Sequence, residues 1–479
     1  MKKLFLSIVI LSVLQLNSQT LCENGTAGSF PCNDYDLMSR VSLATMNASM
    51  ANDSWGWTDP STGKEYAIVG LNNGTAFIDI SEALNPVYLG KLPTATTNSS
   101  WRDIKVYEDH AFIVSEARGH GMQVFDLTRL RAVNSPQTFT ADARYTGFGN
   151  AHNIVINEDS GFAFAVGAQR GGPYAGGPLF VDIRDPKNPI GAGGFLSDGG
   201  DPYTHDAQVI TYSGPDADYR GKEILIGSNQ LEIVIADISD KDNPVTISTI
   251  GYSDVEYTHQ GWFTEDQRYF LLGDELDEQK IGFDTRTVIF DFEDLDNPKF
   301  HMNYTGPTPS IDHNGYIKGN KFYLANYRAG MRVIDISDIA NKNISEIGFF
   351  DSFSGSNSAS FDGAWNVYPF FDSGNIVISD IQSGFLLVRQ SNTLSVDDID
   401  ITTNSDFAMY PNPAQSNLVI DGGNSFQLKK VEIYSILGEK MVEIENFDTP
   451  NNTSINLNYA SGIYMVRVNN ATTKKLVVK

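Results

Sequence analysis

Asp79-Ile80-Ser81, followed by Asn85-Pro86, is the stretch on which the fold turns, because the chain writes it repeatedly. The pattern returns at Asp126-Leu127-Thr128, at Asp182-Ile183-Arg184 with Asn188-Pro189, and at Asp237-Ile238-Ser239 with Asn243-Pro244. It continues at Asp291-Phe292-Glu293 with Asn297-Pro298 and at Asp335-Ile336-Ser337. It fades at Val388-Arg389-Gln390, where Arg389 takes the Asp place. Successive copies lie 44 to 56 residues apart. A period of that size, with several short apolar strands per unit, suits one four-stranded blade. Seven copies therefore predict an all-β chain built as a seven-bladed β-propeller.

Working outward, the sixth unit reads as an inner strand near 314–317, a second over 321–325, a third over 331–336 and an outer one near 346–350. Aromatic and β-branched residues fill these runs, and Gly, Asn or Pro punctuates them. The seventh unit has strands near 365–368, 375–379 and 385–388, but no fourth before the polar, acidic stretch 391–406. A candidate lies at 37–43, ahead of the first unit, and is expected to complete the last blade and remove its open edge. The divisions follow: a leader at 1–20, a propeller over 21–390, a linker at 391–406 and a small β-sandwich over 407–479. The leader reads as a signal peptide, with Lys2 and Lys3 before an apolar run and cleavage near Gln19 or Thr20.

The 34 basic and 59 acidic residues leave a net charge of −25. Nucleic acid and anionic membrane surfaces demand a basic face and are poor partners for such a chain. No other segment is long and apolar enough to span a bilayer. Cys22 and Cys32 are the two cysteines, and in an exported chain their spacing suggests one disulfide closing a small loop.

Two resemblances cover nearly the whole mature chain. Trp55-Gly56-Trp57-Thr58-Asp59-Pro60, Trp101-Arg102-Asp103-Ile104-Lys105-Val106-Tyr107, Ser115-Glu116-Ala117 and Gly119-His120-Gly121-Met122-Gln123-Val124-Phe125-Asp126 resemble the bacterial choice-of-anchor B family, built of LVIVD-type propeller repeats. Tyr410-Pro411-Asn412-Pro413, Ile433-Tyr434-Ser435-Ile436-Leu437-Gly438 and Gly462-Ile463-Tyr464 resemble a type IX secretion sorting domain of Bacteroidota. The resemblance implies export across both membranes by the type IX machinery, then release or attachment at the cell surface. It brings no substrate and no catalytic residues.

Laying the inner strands over one another produces a column. With Asn153-Ile154-Val155-Ile156 as the frame, the residue before it is His152, and the matching positions are Trp55, Arg102, His205, His259, His313 and Trp365. Four of the seven histidines thus recur at one repeat position, 53, 54 and 54 residues apart. Inner strands ring the axis of a propeller, so this column lines one mouth of the channel. Three readings stand open: His152, His205, His259 and His313 as ligands of a transition-metal ion; the same histidines as structural parts bonded to neighbouring backbone; or an anion or sugar site with His and Arg donating and Trp stacking.

Loops between second and third strands reach the same mouth and supply Glu116, Arg118 and His120, then Arg170, then Asp274, Glu275, Asp277 and Glu278, then Arg328 and Asp380. The Gly-rich loop 169–178 lacks the Gly-Lys-Ser/Thr of a P-loop and reads as a flexible surface loop or a ligand lid. The acidic loop at 274–278 offers ligands for calcium but lacks EF-hand spacing and reads as a solvated turn. No nucleophile elbow, His-Glu-x-x-His or dinucleotide fingerprint is present. The expectation is a secreted or surface-attached module that binds a ligand, glycan or protein through the His-lined mouth. The alternative is a metal-dependent hydrolase or lyase using the same histidines, with Glu116 or Glu275 as general base.

Overall fold

The repeated Asp ends a third strand in five of its six copies, Asp335 lying inside Met331–Asp338, and makes the same local turn each time. Asp79 Oδ1 accepts from Ser81 N at 3.0 Å and from Ser81 Oγ at 2.6 Å. The backbone N–H two residues on is bound in the same way by Asp126 (3.1 Å), Asp182 (3.0 Å), Asp237 (2.9 Å), Asp291 (3.0 Å) and Asp335 (2.8 Å). This is the Asx turn, which Asp favours because its short carboxylate reaches its own backbone. The apolar residue between, from Ile80 to Ile336, is buried in every copy.

In the computed structural model, residues 19–391 and 407–479 are described, apart from breaks at 169, 199, 424–426, 436–439, 446, 448, 450 and 470–471. The apolar leader and the linker from residue 392 lie outside the described residues. Two compact units result, divided at Asn392 and Thr393.

In the first unit seven antiparallel sheets follow one another along the chain. Their innermost strands are Ala51–Thr58, Arg102–Tyr107, Asn153–Asn157, Asp206–Thr211, Thr258–Phe263, Gly315–Lys318 and Ala364–Tyr368. Each packs against the next, and Ala364–Tyr368 packs back against Ala51–Thr58, so the sheets close as a ring about one axis. That arrangement is a β-propeller. The seventh sheet takes its outer strand from far away: Tyr35–Val41 pairs antiparallel with Gly384–Gln390. The sixth sheet is extended by Phe30–Asn33, whose Cys32 lies opposite Phe350 and is disulfide-bonded to Cys22. The first sheet gains Gln137–Thr138, which runs parallel to Val87–Pro93. Gly90, at φ 125°, makes that approach possible, since a Cβ there would meet the carbonyl oxygen of Gln137 at 2.0 Å.

The core lies between neighbouring sheets rather than on the axis. Phe77 of the first and Phe125 of the second stack at 4.4 Å, with Phe139 edge-on to both. The second unit has a three-stranded and a four-stranded sheet. Both contribute to one apolar cluster, through Leu418 and Ile455 of the first and Ile433, Val466 and Leu476 of the second.

Candidate functional site at the channel mouth

The start of each inner strand is fixed by ladder bonds, so its side chain has a set position on the ring. His152 N donates to Val166 O, His205 N to Ser228 O and His313 N to Ala325 O, at 2.9–3.0 Å. Four imidazoles form an arc in consequence. His152 to His205, His205 to His259, and His259 to His313 have centroids 4.4, 4.5 and 4.4 Å apart.

Hydrogen bonds select the tautomers. His313 Nδ1–H donates to Trp365 O at 2.5 Å, and His205 Nδ1–H points to His259 O at 3.4 Å. In both rings Nε2 keeps its lone pair. His152 Nδ1 lies 2.6 Å from Glu116 Oε1. His259 Nδ1 is buried without a partner. Glu275 lies between two rings, its Oε2 3.6 Å from His259 Nε2 and its Oε1 3.6 Å from His313 Nε2. Tyr327 Oη donates to Glu275 Oε1 at 2.9 Å.

Burial sets the charges of this cluster. It pushes His313 down to about 3, and it holds His259 and His205 well below the usual histidine value, neighbouring imidazoles adding to the effect. Burial also raises Glu275 to about 7. Neutral imidazoles are the form that binds soft and borderline metals. Above the arc lies a cavity of about 370 Å³ lined by His152, Glu275 and His313 together with Trp101, Tyr327, Phe361 and Trp365.

The structure sorts the sequence-expected residues into four groups. His152, His205, His259, His313, Glu116, Glu275 and Trp365 come together at this mouth. Trp55 does not. Alignment of the first three strands puts Asn52 at the ring position, and Trp55 lies three residues further down the strand, past a one-residue bulge between Ala51 and Ser54. There it packs against Tyr316, Tyr368 and Phe370 and lies under Lys105 Nζ at 4.6 Å. Arg102 and His120 are buried against each other, with Arg102 Nη1 3.0 Å from His120 Nε2, so neither faces a ligand. Arg118 is exposed, Arg170 pairs with Asp201, and Arg328 pairs with Asp362; none of the three lines the cavity.

The acidic loop is also corrected. Asp274, Asp277 and Glu278 are almost wholly buried, not a solvated turn, because Arg286 binds Asp277 at 2.5 Å and the strand-end Asp274 accepts three backbone N–H groups. Asp312, from the neighbouring sheet, is buried against them with both carboxylate oxygens unpartnered. Asp380, from the seventh sheet, is likewise buried and accepts from Gln382 N and Ser383 N. The Gly-rich loop covers a separate hollow of about 390 Å³ with no charged side chain among its described lining residues.

Sequence reasoning passed over the residue after each ring position: Asp53, Asp103, Asn153, Asp206, Gln260, Asn314 and Asn366. These carboxylates and amides form a second polar layer, in which Lys105 Nζ binds Asp103 at 2.6 Å and Asn366 donates to Asp53 at 2.5 Å. Tyr327 and Phe361 were also missed, since each lies in a loop with no repeated signature. The signal for the polar layer was present in the same strand alignment that exposed the histidines.

With this geometry in view, comparison with known proteins adds the following. Residues 408–479 match the family of secretion system C-terminal sorting domains. No curated protein matches the chain. Among solved structures it is similar to PorZ, a bacterial surface component of the type IX secretion system of Porphyromonas gingivalis, at 13% identity and a TM-score of 0.45. That match covers 89% of this chain and 59% of PorZ, so the chain spans little more than half of that protein. It is also similar to the β-propeller domain of Myceliophteria thermophila Cps50 (Swd1), at 9% identity and a TM-score of 0.45, covering 68% of this chain and 93% of that one. The sorting domain marks a protein that is secreted, engages the secretion machinery and is attached at the cell surface. Among the described residues no helix is long and apolar enough to cross a membrane.

Proposed function

We propose that this chain is a surface-displayed binding module that captures a ligand at the His-lined mouth of its propeller. The observation that carries the reading is the cavity of about 370 Å³ lined by the imidazoles of His152 and His313 and the carboxylate of Glu275 together with Trp101, Tyr327, Phe361 and Trp365. Ligand sites combine an apolar wall with a few convergent polar groups in this way. The propeller belongs on this reading with the LVIVD-repeat, choice-of-anchor B proteins, and the C-terminal domain serves type IX export and attachment.

Arrays of glycans and of peptides, probed with the whole chain, test the proposal. At least one probe class should bind and be lost in Trp365→Ala, a variant whose melt is checked alongside. Binding that survives Trp365→Ala, or none on either array, would overturn it.

A second reading, a metal-dependent hydrolase or lyase, is favoured by one observation. Glu116 holds His152 Nδ1 at 2.6 Å, as a carboxylate holds the imidazole of a general base. Turnover of ester, amide and glycoside probes that falls by about two to four orders of magnitude in Glu116→Gln would support this reading. A binding module should tolerate the same change.

A further inference from the structure

We propose that His259 Nε2, His313 Nε2 and the carboxylate of Glu275 hold one divalent first-row transition-metal ion of the zinc class. The inference deepens the reading of the mouth as a binding site, and it narrows the metal set from four histidines to two histidines and a glutamate.

The distances carry the argument. Each Nε2 stands 3.6 Å from a different oxygen of the same carboxylate. A charge-assisted N–H···O bond closes to about 2.7–2.9 Å, so 3.6 Å is too long for one. Two ligands bound at about 2.0–2.2 Å around a tetrahedral ion stand about 3.3–3.6 Å apart. The three ligand atoms lie within 4.8 Å of one another.

The surroundings fit the same assignment. A metal-binding imidazole usually donates its other N–H to a fixed acceptor, which aims the ring and sets its tautomer. His313 does so through Trp365 O, and Tyr327 Oη supports the carboxylate in the same manner. His259 and His313 are 1% and 3% exposed, so no bulk water satisfies their inward nitrogens. Two nitrogens and one oxygen suit zinc, copper, iron or nickel; calcium and magnesium take oxygen donors. His313 and Glu275 also line the cavity, which leaves a coordination position open to a ligand or water.

His152 and His205 fall outside this set. His152 Nδ1 is engaged by Glu116, and neither residue joins the compact group. A second group of similar compactness among the described residues, Asp216, Asp294 and Asp296, is partly to fully exposed and already accepts from Leu295 N and Tyr219 Oη, so it carries no comparable case.

The test is elemental mass spectrometry on the untagged full chain after incubation with zinc and dialysis, beside Glu275→Gln, His313→Ala and His205→Ala. Roughly one ion per chain is expected, kept in His205→Ala and lost in the other two. Cobalt(II) provides a readout on the unaltered chain should a variant fail to fold. Its visible bands should show a four- or five-coordinate site with nitrogen and oxygen donors and no more than two imidazoles. No stoichiometric zinc or cobalt, retention in both Glu275→Gln and His313→Ala, or a spectrum of three or four imidazoles would overturn the assignment. Array binding that persists in a chain without metal would remove the ion and leave the binding reading standing.

Discussion

Arg102 Nη1 donates to His120 Nε2 at 3.0 Å, and both side chains are buried. The direction is fixed because His120 Nδ1–H donates to Gly121 O at 2.9 Å. Burial, then the Arg102 charge, pushes His120 down to about 4. The unfolded chain takes up this proton near pH 6.5 and the folded chain only near pH 4, so stability is full above that window and is lost as pH falls through it. Each pH unit inside it costs up to about 1.4 kcal/mol. Denaturant melts from pH 7 to pH 4.5 should show the loss, and His120→Gln should flatten the slope.

The buried acids behind the mouth predict the opposite slope. Burial, followed by the charges of Glu278, Asp277 and Asp274, holds Asp312 well above the usual carboxyl range, against which Arg286 works. Glu278 and Asp277 are raised by burial as well. A raised carboxyl favours the fold while protonated, and that contribution fades as pH rises from about 4 through the folded value. Asp312→Asn should therefore raise the melting temperature, and by more at pH 8 than at pH 5. Equal shifts at both pH values would contradict it.

Closure of the seventh sheet predicts a large stability loss at a residue far in sequence from its partners. Tyr35 is 1% exposed and lies opposite Gln390 in the Tyr35–Val41 pairing. Tyr35→Ala should cost about 3–5 kcal/mol in urea unfolding, the usual scale for a buried aromatic. Deleting 33–45 should lower the melting temperature further still.

The Asx turns should be individually modest. Asp237 Oδ1 accepts from Ser239 N at 2.9 Å at a surface corner. Asp237→Ala should lose about 0.5–1.5 kcal/mol, the scale of one net hydrogen bond, with the fold intact by circular dichroism.

What the sequence made legible follows from how local each feature is. The repeat could be read because an Asx turn is made by residues two apart, so it is written in adjacent letters. The four histidines could be read because one ring position recurs with the blade period. Trp55 misled because Trp55-Gly56-Trp57 is the conspicuous signal of the first unit, while the bulge before Ser54 shifts the register by an amount no local pattern reveals. Glu275 was legible as an acid reaching the mouth and a candidate general base, but not as the group between two imidazoles. Its place between His259 and His313, and the burial of Glu278 and Asp312, depend on strands from different sheets meeting. The Arg102–His120 bond is hidden for another reason: both residues belong to the second sheet and its loops, but Arg is ordinarily solvent-facing and nothing local marks this one as buried.

The order of strands in the seventh sheet has a mechanical consequence for any pull applied at the C-terminal end of the first unit. The last strand before the linker, Gly384–Gln390, is not at an edge: Asn375–Asp380 pairs with one side of it and Tyr35–Val41 with the other. A pull on Gly384–Gln390 from its C-terminal end therefore meets two ladders of hydrogen bonds at once, and cannot peel a free margin. Tyr35–Val41, drawn from ahead of the first blade, acts as the clasp that lets Gly384–Gln390 bear load.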